Sequence, residues 1–507
     1  MKAFLRSVPP AAALFCAALL ALPGLASEEK AAAKKDVPLS KTEQLARFHP
    51  DAAPMPAASR LKGYAQRVEM ERTSPLAAIR FRNVGPEVQG GRIVDIAAPP
   101  ARPDTLLVAF ASGGLFRTEN RGGSWTPLFD GESSMTIGAI AVADPEGRVL
   151  WVGTGEANAS RSSYAGTGVF KSTDGGKTWK NTGLADSHHI GKIVVDAKSP
   201  DTVFVAAAGP LYTFGGDRGV YKTTDGGATW RRTLFVDEKT GAIDLVQDPS
   251  RPAVLYAATW ERDRKPWDFL ESGTGSGAWK STDGGESWKR LSGGFPQGDV
   301  VGRIGLAVSA ANPDRIYAVL DNQSRRPEGE IPDEEAPPGE LTARRLKGMT
   351  ASQFAALDAA VVQRFLKAYD FPKALKARAL IGDVKSGKVA ISDLLAYVKD
   401  ANRDLFESQI ESAEVWRSDD GGATWKKPYA RRLDKVFYTY GYYFSRIFVA
   451  PDDADRVYFG GVPMLRSTDG GKTWKGIDRR GVHVDEHALA FGPKDSRHVA
   501  LGNDGGL

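Results

Sequence analysis

The sequence predicts an all-β fold: a seven-bladed β-propeller of four-stranded blades, its last blade incomplete, with an α-helical insertion in the fifth. Three observations carry that expectation. An eight-residue box, Ser/Thr-x-Asp-x-Gly-x-x-Trp, occurs six times, with Asn120 replacing the Asp once. A strand–turn–strand pattern recurs between the boxes. One interval between boxes exceeds the others by roughly eighty residues, while the rest keep the period of roughly fifty expected for propeller blades.

The boxes read TENRGGSW at 118–125, STDGGKTW at 172–179, TTDGGATW at 223–230, STDGGESW at 281–288, SDDGGATW at 418–425 and STDGGKTW at 467–474. Each must reverse the chain between the third and fourth strands of a blade. Paired glycines admit backbone angles that side chains forbid, and an Asp can accept hydrogen bonds from turn amides. The first residue offers a local hydroxyl, and the Trp buries a large ring against a neighbouring hairpin. Asp174, Asp225, Asp283, Asp420 and Asp469 are therefore read as turn caps, and Trp179, Trp230, Trp288, Trp425 and Trp474 as core.

Between boxes lie pairs of β-rich runs, such as IAVADPEGRVLWVGTG (140–155) and IVVDAKSPDTVFVAAAG (193–209). First strands are expected to begin near Ile93, Ile140, Ile193, Ile243, Ile304, Ile447 and Leu489. The motif FRNVG at 81–85 matches WKNTG at 179–183, a fourth strand, so an N-terminal strand is expected to close the ring. The last blade has its first two strands in 487–502, and the sequence reads as ending inside that blade.

The domain limits follow. Residues 1–26 have a basic start (Lys2, Arg6), an apolar run and a small-residue cleavage site, the layout of a signal peptide. Residues 27–79 read as a flexible leader with one short helix at 61–68, and the propeller occupies 80–507. Cys16, the sole cysteine, lies in the signal segment, so neither disulfides nor thiolate chemistry is expected in the mature chain. A secreted or periplasmic location follows, with no transmembrane segment in the mature chain. The formal charge of +5 is scattered rather than clustered, which argues against nucleic acid as a partner. Nothing in the sequence sets an oligomeric state. The insertion, 325–414, begins rich in Pro and Glu and then shows two helical stretches with apolar residues at three- and four-residue spacing.

In such a ring the box turns and the first hairpin turns share one face, and the long loops share the other. The loop face receives 153–168, 186–192, 260–269, 437–444 and 483–487, and binding is expected there. Trp260, Trp267, Tyr440, Tyr442 and Tyr443 either stack on a sugar or peptide ligand or pack within the loops. Arg92, Lys192, Arg303 and Arg446 each precede an inner strand; they suit an acidic ligand at the channel, or pair with carboxylates such as Asp95. Two of them, Arg92 and Arg303, are taken as ligand-binding candidates. His483, Asp485 and His487 alternate in HVDEH and form a candidate set for a divalent metal, the one cofactor considered; a hydrogen-bonded loop cluster is the alternative. Glu156, Asp485, Glu486 and Asp504 are acids at loop positions suited to glycoside hydrolysis, which needs two carboxylates flanking the scissile bond.

The boxes are identified as Asp-boxes, also called bacterial neuraminidase repeats. Over about 80–507 the chain resembles the Asp-box propellers, which include sialidases, two-propeller xyloglucan-cleaving glycoside hydrolases, sortilin ectodomains and photosystem assembly factors. It is most similar to large secreted bacterial proteins with a sortilin-like N-terminal region, often labelled glycosyl hydrolases. FRNVGPEVQGGRIVDIA, WVGTGEAN, GVFKSTDGGKTW, HIGKIVVDAKSPDTVFVAA and HVDEHALAFGPKDSRHVALGNDGGL carry the resemblance. It implies a longer protein with a second propeller. It also implies either a sortilin-like module binding a glycan or peptide, or half of a glycoside hydrolase. Xyloglucan-cleaving relatives place a catalytic Asp before a Gly-Gly in the first blade. Here FASGGLF at 110–116 has Ala111 and Ser112 instead, while GNDGGL retains Asp504. Asp504 and Glu156 are the catalytic candidates.

Overall fold

The computed structural model describes residues 53–79, 91–160, 162–265, 269–327, 340–398, 410–477 and 481–507. The expected signal peptide, the FRNVG strand and Trp267 lie outside them.

Six antiparallel sheets follow one another as blades. The first pairs Ile93–Ala97, Leu106–Phe110, Gly114–Thr118 and Thr126–Pro127; the second Ile137–Val142, Leu150–Thr154, Val169–Ser172 and Lys180–Gly183. The third pairs Ile190–Val195, Val203–Ala207, Gly219–Thr223 and Arg231–Leu234; the fourth Thr240–Gln247, Leu255–Glu261, Gly277–Ser281 and Lys289–Arg290. The fifth has three strands, Val301–Val308, Ile316–Arg325 and Ile410–Ser418, with an Arg417–Lys426 bridge at its outer edge. The sixth pairs Arg446–Ala450, Asp453–Gly460, Met464–Ser467 and Lys475–Gly476.

A two-stranded sheet, Glu486–Phe491 with Val499–Asn503, comes last. The expected seven blades are thus corrected to six among the described residues, with this pair in the seventh place. The innermost strands neighbour one another in chain order, and the last returns to the first, so the ring closes.

The core is distributed between blades rather than gathered at a centre. Phe129, Ile140, Val152 and Phe170 pack with Val94 and Leu107 between the first two blades. Equivalent clusters join second to third, third to fourth, fourth to fifth and fifth to sixth. Each fully buried Ile, Val or Leu contributes about 1.5–3 kcal/mol relative to exposure. Close approach of inner strands needs glycine. A Cβ on Gly138 would fall 2.0 Å from the Ile190 carbonyl oxygen, and one on Gly191 would fall 2.2 Å from that of Ile243. Carboxylates add cross-blade bonds: Ile140 N–H donates to Asp95 (3.1 Å) and Leu306 N–H to Asp244 (2.9 Å).

Each box forms a closed turn. Asp174 accepts from the Ser172 hydroxyl (2.8 Å), the Lys177 and Thr178 amides (3.0 Å each) and the Thr178 hydroxyl (2.7 Å). These donors, the Thr178 amide foremost, hold its carboxyl down to about 2. Asp225, Asp283, Asp420 and Asp469 accept in the same pattern. Three tryptophans reach backward: Trp179 Nε1 donates to the Leu128 carbonyl (2.8 Å), Trp230 Nε1 to that of Thr182 (2.9 Å) and Trp288 Nε1 to the Thr233 hydroxyl (3.1 Å), each in the preceding blade. These three boxes therefore staple successive blades, whereas Trp425 Nε1 donates to the Gly422 carbonyl of its own box (3.1 Å).

The described helix of the leader, Ala57–Thr73, is longer than expected, because strong helix formers continue to Ser74 and Pro75, where Pro cannot extend it. Where two helical stretches were expected in the insertion, five shorter helices are described, from Ala343–Lys347 to Ile391–Val398. Thr350 forms a capping box with Gln353 and Asp358 caps the helix Ala359–Ala368. They enclose their own core around Phe354, Phe365 and Leu380. The insertion is narrower than 325–414, because Ile410–Ser418 belongs to the blade sheet. No described helix is long and apolar enough to cross a membrane.

Candidate active site at the channel mouth

The box turns are tied to the first hairpin turns of their own blades: Gly175 N–H donates to the Arg148 carbonyl (2.8 Å) and Gly226 N–H to that of Asp201 (3.0 Å). Both turn types therefore share one face, and the loops joining second to third strands, and one blade to the next, share the opposite face.

Residues from four sequence regions meet on that loop face. Arg92 precedes the first inner strand, Glu156 follows Leu150–Thr154, Tyr443 precedes the sixth blade, and Asp504 follows Val499–Asn503. Arg92 forms a bidentate pair with Glu156, Nε lying 2.5 Å from Oε1 and Nη2 bonding Oε2. The Ser163 hydroxyl donates to the same Oε2 (2.8 Å). Burial opposes the charge on Arg92, but Glu156 outweighs it and raises the guanidinium's pKa. Asp504 accepts from the Tyr443 hydroxyl (3.2 Å) and from His487 Nε2 (2.8 Å). Burial pushes the Asp504 carboxyl up, yet His487, Arg92 and Tyr443 together hold it below its ordinary value. Burial and the nearby carboxylates raise the Tyr443 phenol, which therefore stays a donor. Arg92 also lies over the Tyr443 ring, 5.7 Å from its centroid, linking the two halves.

A second buried group adjoins the first. Arg303, on the fifth inner strand, donates to the Tyr442 carbonyl (2.8 Å) and to Asn158 Oδ1 (3.1 Å). His189 Nδ1 donates to the Glu156 carbonyl (2.7 Å), and burial, then Arg262, holds this imidazole neutral. Glu271 and Asp321 are both buried, and desolvation raises both carboxyls; the charge of Asp321 further raises Glu271. Gln323 donates to Asp321 Oδ2 (2.8 Å).

Glu156 and Asp504 thus come into one cluster with Arg92 and Tyr443. Other candidates are placed differently. Trp260, read as a stacking platform, is 1% exposed and donates its indole N–H to the Glu271 carbonyl, so it is packing. Tyr442 and Arg303 are also buried, which removes them as free ligand contacts. Tyr440 remains exposed. Lys192 lies 3.8 Å from Asp95, the pairing alternative.

Within HVDEH, burial and then Asp504 raise the Asp485 carboxyl, while His487 and His483 oppose that shift. His487 meets Asp504, while His483 Nδ1 donates to the Val484 carbonyl (2.6 Å). Among the described residues, no group of three or more His, Cys, Asp or Glu is arranged to hold a metal ion. Asn158, Ser163, Glu271, Asp321, Arg262 and Arg264 were not singled out from the sequence. Only WERDR, with its alternating cations, carried a readable signal.

Residues 167–327 match the Sortilin-Vps10 family model, described as sortilin, neurotensin receptor 3. A xyloglucanase of Paenibacillus sp is 24% identical over 258 residues, 45% of this chain and 24% of that protein. A probable oligoxyloglucan-reducing end-specific xyloglucanase of Neosartorya fischeri is 30% identical over 172 residues, 33% of this chain and 20% of that protein. The matched regions therefore span a quarter or less of both relatives. The crystal structure of the Niastella koreensis GH74 enzyme covers 83% of this chain and 52% of its own, at 16% identity and a TM-score of 0.49. The family-model match and the ring of blades support a β-propeller family.

Proposed function

We propose that this chain is a glycan-binding β-propeller related to glycoside hydrolases, exported from the cell, which holds its ligand at the loop face without cleaving it alone. The observation that carries the reading is the engagement of both catalytic candidates. Both oxygens of Glu156 accept from Arg92, and His487 and Tyr443 donate to Asp504 and keep its carboxyl low. Glycoside hydrolysis needs one carboxylic acid kept protonated to reach the leaving oxygen. Neither residue is arranged for that task. The likeness to two xyloglucanases supports a glycan rather than a peptide as ligand. Calorimetry with xyloglucan oligosaccharides tests this: binding without new reducing ends is expected, and release of reducing ends by this chain would refute it.

A second reading rests on the same relatives. Here Asp504 is one acid of a glycoside hydrolase cleft completed by a further propeller. Cleavage by the longer protein, abolished by Asp504→Asn, would favour it; cleavage that survives Asp504→Asn would remove Asp504 from the mechanism.

A further inference from the structure

The loop that follows Leu150–Thr154 carries Glu156 and is fastened to the ring at successive points. The Ser163 hydroxyl donates to Glu156 (2.8 Å), and the Ser163 amide to the Ser160 carbonyl (3.1 Å). The Thr136 hydroxyl donates to the Tyr164 carbonyl (3.2 Å). Gly166 N–H donates to the His188 carbonyl (2.7 Å), and Thr167 N–H to the Thr154 hydroxyl (2.8 Å). A further tie comes from the leader helix, Ala57–Thr73. Arg60 donates to the Gly166 carbonyl through Nη1 and to that of Ala185 through Nη2 (2.8 Å).

On this fastened backbone the Tyr164 ring faces solvent. It is 62% exposed, more than any other aromatic side chain among the described residues, and its hydroxyl has no hydrogen-bond partner among them. One exposed apolar group is ordinary on a protein surface. The difference here lies in the anchoring and the place. Ordering a loop costs conformational entropy, and in this loop that cost is met before a ligand arrives. The position is also set by the site: the carbonyl and hydroxyl of Ser162 accept from Arg92 Nη2 (3.4 and 3.2 Å). Two residues span at most about 7 Å of chain, so Tyr164 borders the Arg92–Glu156 pair. Trp260 and Tyr442, by contrast, are turned into the core.

A pyranose presents a flat C–H face rimmed by hydroxyl groups. A solvent-facing phenol matches both, with its ring against the C–H face and its hydroxyl at the rim. Resting on the glycan-binding reading above, we propose that Tyr164 is a sugar-stacking residue of the loop face. Arg60 is a positioning residue that acts on Tyr164 through the Gly166 carbonyl.

Calorimetry on the full chain with a xyloglucan oligosaccharide tests this. Tyr164→Ala should weaken binding about tenfold while leaving the melting temperature unchanged, because the side chain is exposed. Tyr164→Phe keeps the ring and should retain most of the affinity. Arg60→Met should weaken binding in part and speed hydrogen exchange of the 163–166 amides, with Arg60→Lys restoring some of both. Tyr164→Ala binding as tightly as the unmodified chain overturns the inference and leaves the glycan reading standing. Tyr164→Phe as weak as Tyr164→Ala overturns stacking, because the hydroxyl alone would then carry the contact. Unchanged exchange and affinity in Arg60→Met remove its positioning role. No binding by the unmodified chain overturns the inference together with the glycan reading.

Discussion

Arg303 of the fifth blade donates to Asn158 of the second at 3.1 Å, joining residues 145 apart in sequence. Both are buried, so the bond has no water to replace it. Asn158→Ala leaves one N–H group of Arg303 unsatisfied and should cost about 1–3 kcal/mol by chemical denaturation. A double mutant with Arg303→Met should cost less than the sum of the single changes. Additive effects would show that the two side chains do not support each other.

The Arg92–Glu156 pair should behave asymmetrically. The Glu156 side chain is wholly buried and that of Arg92 nearly so. Arg92→Met strands the carboxylate and should destabilise by about 3–5 kcal/mol, while Arg92→Met with Glu156→Met should recover much of that loss. A double mutant as unstable as Arg92→Met alone would contradict the pairing.

Acid should attack the box turns. Asp174, Asp420 and Asp469 are held at about 2 in the folded chain. An unfolded Asp titrates near about 3.9. Depressed folded values contribute stability that is present above the unfolded pKa and lost as pH falls toward the folded one. The melting temperature should therefore fall between about pH 4 and 2, less steeply in a triple Asn variant. An unchanged slope in that variant would assign acid sensitivity to other carboxylates.

Tyr443→Phe removes a donor from Asp504. The Asp504 carboxyl should then titrate at higher pH, followed by carbon-13 NMR of the labelled side chain. A titration that does not move would mean that His487 and Arg92 alone govern it.

Gly138 sits where inner strands meet. Gly138→Ala places a methyl against the Ile190 carbonyl, and backbone cannot yield as a side-chain tip can. A loss of about 1–3 kcal/mol or more is expected, read from the unfolding midpoint. The same change at Gly382, which has no atom within 4 Å of its would-be Cβ, serves as the control.

By itself the sequence determined the boxes, the order of blades, the position of the insertion and the loop face. Those features depend on residues within one turn or hairpin: Asp174 binds donors two to four positions away, and Gly176 takes its positive φ from the turn it closes. Only the tertiary structure decided which loop residues are ligand-facing and which are core. Trp260 and Tyr442 look like platforms in a loop, yet neighbouring blades bury them. Arg262 looks like one charge among many until neighbouring segments bury it. Glu156 and Asp504 were placed on the same face by pattern, but their engagement by Arg92, His487 and Tyr443 was not legible. Burial and charge pairing are set by chain segments from tens of residues to well over a hundred apart, as in Tyr443–Asp504 (61) and Arg303–Asn158 (145), and local patterning does not contain them.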